Sequence, residues 1–422
     1  MKHNYILGEN MDAGATLEDG SSSRCNVKRE KFAKKRKAQC EQMEKEEGRA
    51  SFIRQHSHCL TTINMENIDN DEFQETLKPY RNLKDAENRK DGLFVLEGAE
   101  CVRLLVGQAA FAEHAWKRCE SQVSDGLFKG VRLKSIIVKP ATFWDSPVKL
   151  IDDIRQCARD CCKMQRMTKD SHNLKLSEES MSSGNDSYEN EDTLSLPYKV
   201  FVGKKDVLTS ITGFSFDRGG LACAEIPTYV EKELWLQSFI EKTLDRKLKH
   251  SQSPLRILAL DGICDTANMG SILRTSKAFD IDVVVLSKNC CDPFSRRSVR
   301  VSMGYACLIP IVRVNLFDFL KIDCRRFNIQ KYAAVVDDES SFLQDVKAVS
   351  EDWCCVMGNE GTGISAEVIA ECDKKIKINI SKDVDSLSVG IATGILLNGL
   401  KEREGGGSKM VDMLAKIKSK VK

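Results

Sequence analysis

Ile257-Leu258-Ala259-Leu260 opens a series of short apolar runs that recur through the C-terminal part of the chain. The series continues with Val283-Val284-Val285-Leu286, Ile309-Pro310-Ile311-Val312, Ala333-Ala334-Val335-Val336, Cys354-Cys355-Val356-Met357 and Ile376-Lys377-Ile378. Most of these runs are continuously apolar rather than alternating. Strands of that kind are buried on both faces, which is the pattern of a parallel sheet covered by helices on each side. Six such strands separated by helical patterns predict an α/β domain over 255–402, a doubly wound parallel sheet. Ligands of such sheets sit beyond the carboxyl ends of the strands.

Three glycine-rich or small polar segments follow strands of this series. They are Asn268-Met269-Gly270-Ser271-Ile272-Leu273-Arg274 after the first, Gly358-Asn359-Glu360-Gly361-Thr362-Gly363 after the fifth, and Asp385-Ser386-Leu387-Ser388-Val389 after the sixth. A dinucleotide fold needs G-x-G-x-x-G after its first strand, and the turn here reads Asp261-Gly262-Ile263-Cys264-Asp265-Thr266-Ala267-Asn268. The loop at 358–363 lacks the Lys-Ser/Thr pair of a Walker A motif. All six histidines lie at or before His250, so the domain contains no histidine for a Ser-His-Asp or Cys-His site. The polar groups that remain are Asn268, Arg274, Glu360, Ser386 and Ser388. Arg274 falls early in a helix, and its planar fork suits a phosphate. Standing alone it reads as a surface-helix arginine; the company of the other motifs turns it toward an anion.

The remainder of the chain prepares for this domain. Residues 1–70 lack apolar periodicity and are expected to be a disordered, basic tail. It includes the basic run from Lys28 to Lys37, which is either a solvated segment or an import signal or RNA-gripping arm. A small α/β domain is expected over 80–228, with strands at Leu93–Leu96, Lys134–Val138, Tyr198–Val202 and Gly220–Ala224 and a mobile insertion at 163–197. A linker at 229–254 and a basic tail at 403–422 complete the order. With 64 basic against 62 acidic residues, overall charge says nothing about nucleic acid. No apolar run approaches a membrane span. The 17 cysteines include no C-x-x-C pair, which points to reduced, mostly buried thiols in an intracellular protein and away from a metal site.

The three motifs resemble those of the SpoU (TrmH-like) branch of the SPOUT RNA methyltransferases: N-x-G-x-x-x-R, G-x-E-G-x-G and S-L-N-V. A fourth block, Asp292-Pro293-Phe294-Ser295-Arg296-Arg297-Ser298-Val299-Arg300-Val301-Ser302-Met303-Gly304, is similar to the segment after the second strand in one bacterial-type subgroup. Arg89 to Glu97 and Gly213 to Pro227 are similar to that subgroup's N-terminal substrate-binding domain. The resemblance implies a C-terminal trefoil knot, S-adenosylmethionine as cofactor, and 2′-O-ribose methylation of tRNA or rRNA by a homodimer packed through the knotted domain. It also implies roles. Gly358, Ile378 and Leu387 would offer backbone contacts to the cofactor, with Ser388 in the same wall. Arg274 would take the ribose proton or clamp a phosphate, two roles left open here. Asn268 would hold the Arg274 loop, and Glu360 and Ser386 would bond the loops or the substrate. This chain departs from the pattern at Ser388, where the family carries Asn, and it lacks the usual Pro before Asn268. The alternative from another class is a non-catalytic RNA-binding or assembly factor that keeps the fold.

Overall fold

The computed structural model describes residues 38 and 41–404, apart from 65, 70, 84, 119–129, 145–149, 174–195, 218, 228–229, 231–232, 251–253, 347–348, 350–351 and 382. A first unit ends at Ser57 and includes a helix at 41–55. The second unit, from His58, carries two sheets.

The first sheet is built from β1 (Leu60–Ile63), β2 (Leu93–Glu97), β3 (Arg132–Val138), β4 (Lys199–Gly203) and β5 (Gly220–Glu225), in the order β1-β4-β3-β5-β2. β5 runs antiparallel to β2 and β3, while β4 runs parallel to β1 and β3. The four expected strands are present, and β1 is an addition that corrects the reading of 1–70 as tail. Leu60 pairs with Val200, and Ile63, Ile68, Phe73 and Leu77 join Tyr80 and Phe201 in one core cluster. Leu-Thr-Thr-Ile is a four-residue, half-polar edge strand, so no periodicity separates it from its polar surroundings. Helix α1 (Ala99–Arg118) follows β2, and α2 (Leu150–Asn173) follows β3. α2 extends to Asn173, so the first part of the expected insertion at 163–197 is helical. Residues 174–195, the basic run 28–37 and the tail from 405 onward lie outside the described residues.

The expected linker at 229–254 is also corrected. Most of it is helix α3 (Glu233–His250), with Trp235, Leu236 and Ile240 buried. Gln237 Nε2 donates to Asp323 at 2.8 Å, and Arg326 donates to Glu241 at 2.6 Å. α3 is thus a wall of the C-terminal domain. Its high charge masked an apolar face spaced at three and four residues.

The second sheet contains β6 (Arg256–Asp261), β7 (Val283–Leu286), β8 (Ile311–Arg313), β9 (Gln330–Ala334), β10 (Ser341–Phe342), β11 (Trp353–Gly358) and β12 (Lys374–Lys377). All pairings are parallel, in the order β10-β12-β9-β11-β6-β7-β8. β10, two residues long, is the one strand not expected. β8 begins after Pro310, which has no amide to donate. β9 begins earlier than expected because Lys331 is accommodated at 5% exposure beside Asp373, 3.4 Å away. Every residue of β6 and β7 is buried. Each fully buried Val, Leu or Ile contributes roughly 1.5–3 kcal/mol.

From β6 the chain steps outward through β7 and β8, then returns to lay β9, β11 and β12 on the other side. The winding reverses between the adjacent parallel strands β6 and β11, and in sheets of this kind the ligand crevice lies outside the carboxyl ends of such a pair. Helix α4 (Thr266–Ala278) leaves that end of β6, α5 (Arg296–Val301) follows β7, and α6 (Val389–Glu402) closes the domain. Just past the end of α6, Glu404 accepts from Arg256 Nε at 2.6 Å and from Trp353 Nε1 at 2.9 Å, which fixes the end of the helix to the starts of β6 and β11. No helix among the described residues is long and apolar enough to cross a membrane.

Candidate active site at the switch point of the sheet

Gly358, the last residue of β11, lies in register with Asp261, the last of β6. The loops that leave these two positions are tied together. Asp261 Oδ2 accepts from both the amide and the hydroxyl of Ser365, at 2.9 and 2.8 Å. Asn359 Nδ2 donates to Gly262 O at 2.7 Å, while its Oδ1 accepts the Gly361 amide at 2.8 Å. Reciprocal backbone bonds between Asn359 and Gly363, at 3.1 and 2.9 Å, close the 359–363 loop on itself. This closure leaves no room at position 358. A Cβ there would stand 2.2 Å from Gly363 C and 2.3 Å from Ile364 N. Gly363 takes φ +70°, a left-handed conformation that glycine adopts without strain.

The third motif reaches the same place. Glu360 Oε1 accepts the Val389 amide at 3.0 Å, satisfying one of the donors left open in the first turn of α6. Gly390 abuts α4, where a Cβ would lie 2.7 Å from Ser271 Oγ. α4 itself starts at Asp265, whose Oδ1 accepts from the amides of Ala267 at 2.5 Å and Asn268 at 3.1 Å. Those two amides, with a smaller contribution from the Arg297 charge, hold the Asp265 carboxyl below its ordinary value. All three motifs therefore converge on the crevice between β6 and β11.

Their side chains divide into two groups. Glu360 is engaged with α6. Asn268 is half-buried, whereas Arg274, Ser386 and Ser388 are exposed. None of these four side chains makes a hydrogen bond or ion pair among the described residues. Ser388 occupies the N-cap of α6 without a side-chain cap bond. Leu387 is half-buried. Ile378 lies one residue beyond β12 and lines an open cleft of about 260 Å³ with Leu343, Asn379, Ile395 and Gly399. That cleft shares only Ile378 with the expected cofactor contacts. Ile391 and Ile395 on α6 remain 58% and 39% exposed. The segments around the crevice thus carry glycines without room for a side chain, one exposed guanidinium, a half-buried amide and two exposed hydroxyls. It holds no imidazole, since the domain has none.

The role of the 292–304 block was not legible in the sequence. It is the seam between the two domains. Arg89 Nη1 donates to Leu93 O at 2.7 Å, and the same guanidinium bonds the Asp292 carboxylate and Phe294 O. Glu97, 8% exposed at the end of β2, accepts from Arg296 at 3.0 Å and pairs with Arg300 at 3.7 Å. Arg296 also lies over the Phe214 ring at 5.1 Å, and the rings of Phe94 and Phe294 meet at 5.0 Å. Ser298 Oγ donates to Thr266 O at 3.0 Å, which fastens α5 to the start of α4. Around it, Gly270 packs so closely that a Cβ would lie 2.5 Å from Ser298 O. Partners some 200 residues apart leave no local signal.

Residues 255–398 match the model of the SpoU rRNA Methylase family. An uncharacterized tRNA/rRNA methyltransferase from Mycobacterium bovis is 28% identical over 193 residues, covering 45% of this chain and 62% of the relative. A 23S rRNA (guanosine-2′-O-)-methyltransferase, RlmB, from Pasteurella multocida is 31% identical over 158 residues, covering 37% of this chain and 63% of the relative. The chain therefore spans less than two thirds of the length of either. Among solved structures, an AdoMet-bound rRNA methyltransferase from Sinorhizobium meliloti superposes with a TM-score of 0.51 at 20% identity, covering 81% of this chain and 97% of that one. That likeness concerns the fold.

Proposed function

We propose that this chain, whose residues 255–398 match the model of the SpoU rRNA Methylase family, transfers a methyl group from S-adenosylmethionine to a ribose 2′-oxygen of tRNA or rRNA. The observation that carries the reading is the convergence of the three motifs on the β6–β11 crevice, with Gly358 walled in by backbone. A cradle without room for a methyl group suits a cofactor held by main-chain atoms. Gly358, Ile378 and Leu387 would hold it, and Ser388 stands in the same wall. When bound, S-adenosylmethionine supplies an electrophilic methyl group on sulfur.

The chain's own residues then have to orient the RNA and manage one proton. The 2′-hydroxyl is a weak nucleophile and loses its proton around the transition state. Arg274 is exposed and free of ion pairs among the described residues, so its charge is available to an RNA phosphate. A guanidinium holds its proton too tightly to be a good base, and phosphate clamping is its easier role. Asn268, about one and two-thirds turns earlier on α4, would hold the segment that carries Arg274. Glu360 acts through the loop and α6 rather than on the reacting atoms. We further read the chain as a homodimer formed through the knotted domain, with Ile391 and Ile395 of α6 covered by a second copy. The segment after β12 would be threaded as the trefoil knot.

The test is incubation with methyl-labelled S-adenosylmethionine and total RNA, followed by nuclease digestion. Nuclease-resistant 2′-O-methyl dinucleotides are expected from the native chain and none from Arg274→Ala, which should still bind the cofactor by calorimetry. The exposed, unbonded Ser388 in place of Asn favours one second reading, an RNA-binding factor without turnover. Cofactor or RNA binding with no label transferred to any RNA would establish that reading instead.

A further inference from the structure

The Asp292–Gly304 block carries three arginines, and two of them are committed to the seam. Arg296 and Arg300 converge on Glu97. Arg297 between them is exposed and has no hydrogen bond or ion pair among the described residues. Its position is nevertheless well defined. The neighbouring Ser298 is bonded to Thr266 O at 3.0 Å, and the backbone there packs against Gly270. Arg297 is therefore mounted on α5 beside the first turn of α4, the helix that carries Asn268 and Arg274. The carboxylate of Asp265, on which its charge acts, is occupied by two backbone amides and forms no ion pair with the guanidinium.

We propose that Arg297 is a substrate-binding residue that grips an RNA backbone phosphate beside the crevice, an assignment that rests on the RNA methyl-transfer reading above. The guanidinium fork matches two phosphate oxygens. Its mount is rigid, because the residues on either side are held by Glu97, the Phe214 ring and Thr266. A charge fixed in this way loses little freedom on binding and registers the strand relative to Asn268 and Arg274. Base identity plays no part in such a contact, which positions without specifying sequence.

Fluorescence anisotropy with labelled polyuridylate, and competition by total tRNA, should be recorded between low and moderate salt. Arg297→Ala is expected to weaken binding about 3- to 10-fold at low salt and to flatten the slope of log affinity against log salt by roughly 0.7, one phosphate contact on a single strand. Arg297→Lys should keep most of the slope, and calorimetric affinity for S-adenosylmethionine and the Tm should be unchanged in both variants. Native protein that binds polyuridylate while Arg297→Ala keeps the same affinity and slope would overturn the assignment of Arg297 alone. Native protein that binds neither polyuridylate nor tRNA would remove the RNA reading itself, and this contact with it.

Discussion

Position 358 offers the sharpest single perturbation. Gly358→Ala places a methyl 2.2 Å from Gly363 C, about 1.3 Å short of the roughly 3.5 Å at which carbon atoms rest. The three atoms nearest to it belong to the backbone of Gly363 and Ile364, so no side-chain rotation relieves the clash. The loop must move, and the Asn359–Gly363 bonds that close it must lengthen. Overpacking of this kind costs roughly 1–3 kcal/mol, which corresponds to a Tm decrease of about 4–8 °C near the middle of that range. Displacement of the loop by about 1 Å should weaken S-adenosylmethionine at least tenfold, about 1.4 kcal/mol. Gly361→Ala is the internal control, since its Cβ meets only Asn359 Oδ1 at 3.4 Å. It should shift Tm by no more than about 2 °C, the ordinary range for a surface change. Differential scanning fluorimetry and titration calorimetry read both quantities. If the two variants behave alike, the argument from the closed loop is wrong.

Two further outcomes follow from the seam and from the start of α4. Glu97→Gln removes the one anion shared by Arg296 and Arg300, and because Arg300 is itself 41% exposed the loss should be modest, roughly 1–3 kcal/mol by urea unfolding; an unchanged midpoint would mean that the seam is held by the Arg89 bonds and the aromatic contacts without the Glu97 pairs. Asp265 has its carboxyl lowered by the Asn268 and Ala267 amides, so its stabilising effect is present above the ordinary carboxylate range and disappears as pH falls through the lowered value. Tm measured between about pH 5 and pH 3 should therefore fall less steeply for Asp265→Asn than for the native chain, and parallel curves would refute the assignment.

Much of the architecture was open to inspection in the chain itself, because a doubly covered parallel strand leaves a continuous apolar run wherever it occurs. The three motifs were equally plain, since glycine and small polar residues after such runs have few other uses. What was hidden depended on distance along the chain. Asn359 bridges to Gly262, and Asp261 to Ser365, through bonds between positions roughly 100 residues apart. The block at 292–304 stood out as a sequence feature, yet its function depends on Glu97 and Arg89, which no spacing rule connects to it. β1 was missed for a different reason: Leu-Thr-Thr-Ile becomes a strand because β4 offers it an edge. Helix α3 was taken for a connector because its burial faces a domain that folds after it in the chain. The cysteines were read more directly. Ten of them are buried thiols, and burial pushes the Cys355 thiol up to about 12, which leaves it unreactive.

The Glu360–Val389 bond has one more consequence. It makes the glycine loop and the final helix a single lever, with its far end anchored where Glu404 meets Arg256 and Trp353. A ligand that draws Glu360 toward itself frees the Val389 amide, which then exchanges its hydrogen with solvent faster. The coupling is reciprocal, as any linkage between two equilibria must be. Whatever seats α6 more firmly, including a neighbour resting on Ile391 and Ile395, also holds Glu360 back from the crevice. Occupancy of the crevice and coverage of α6 are thus two readings of one equilibrium.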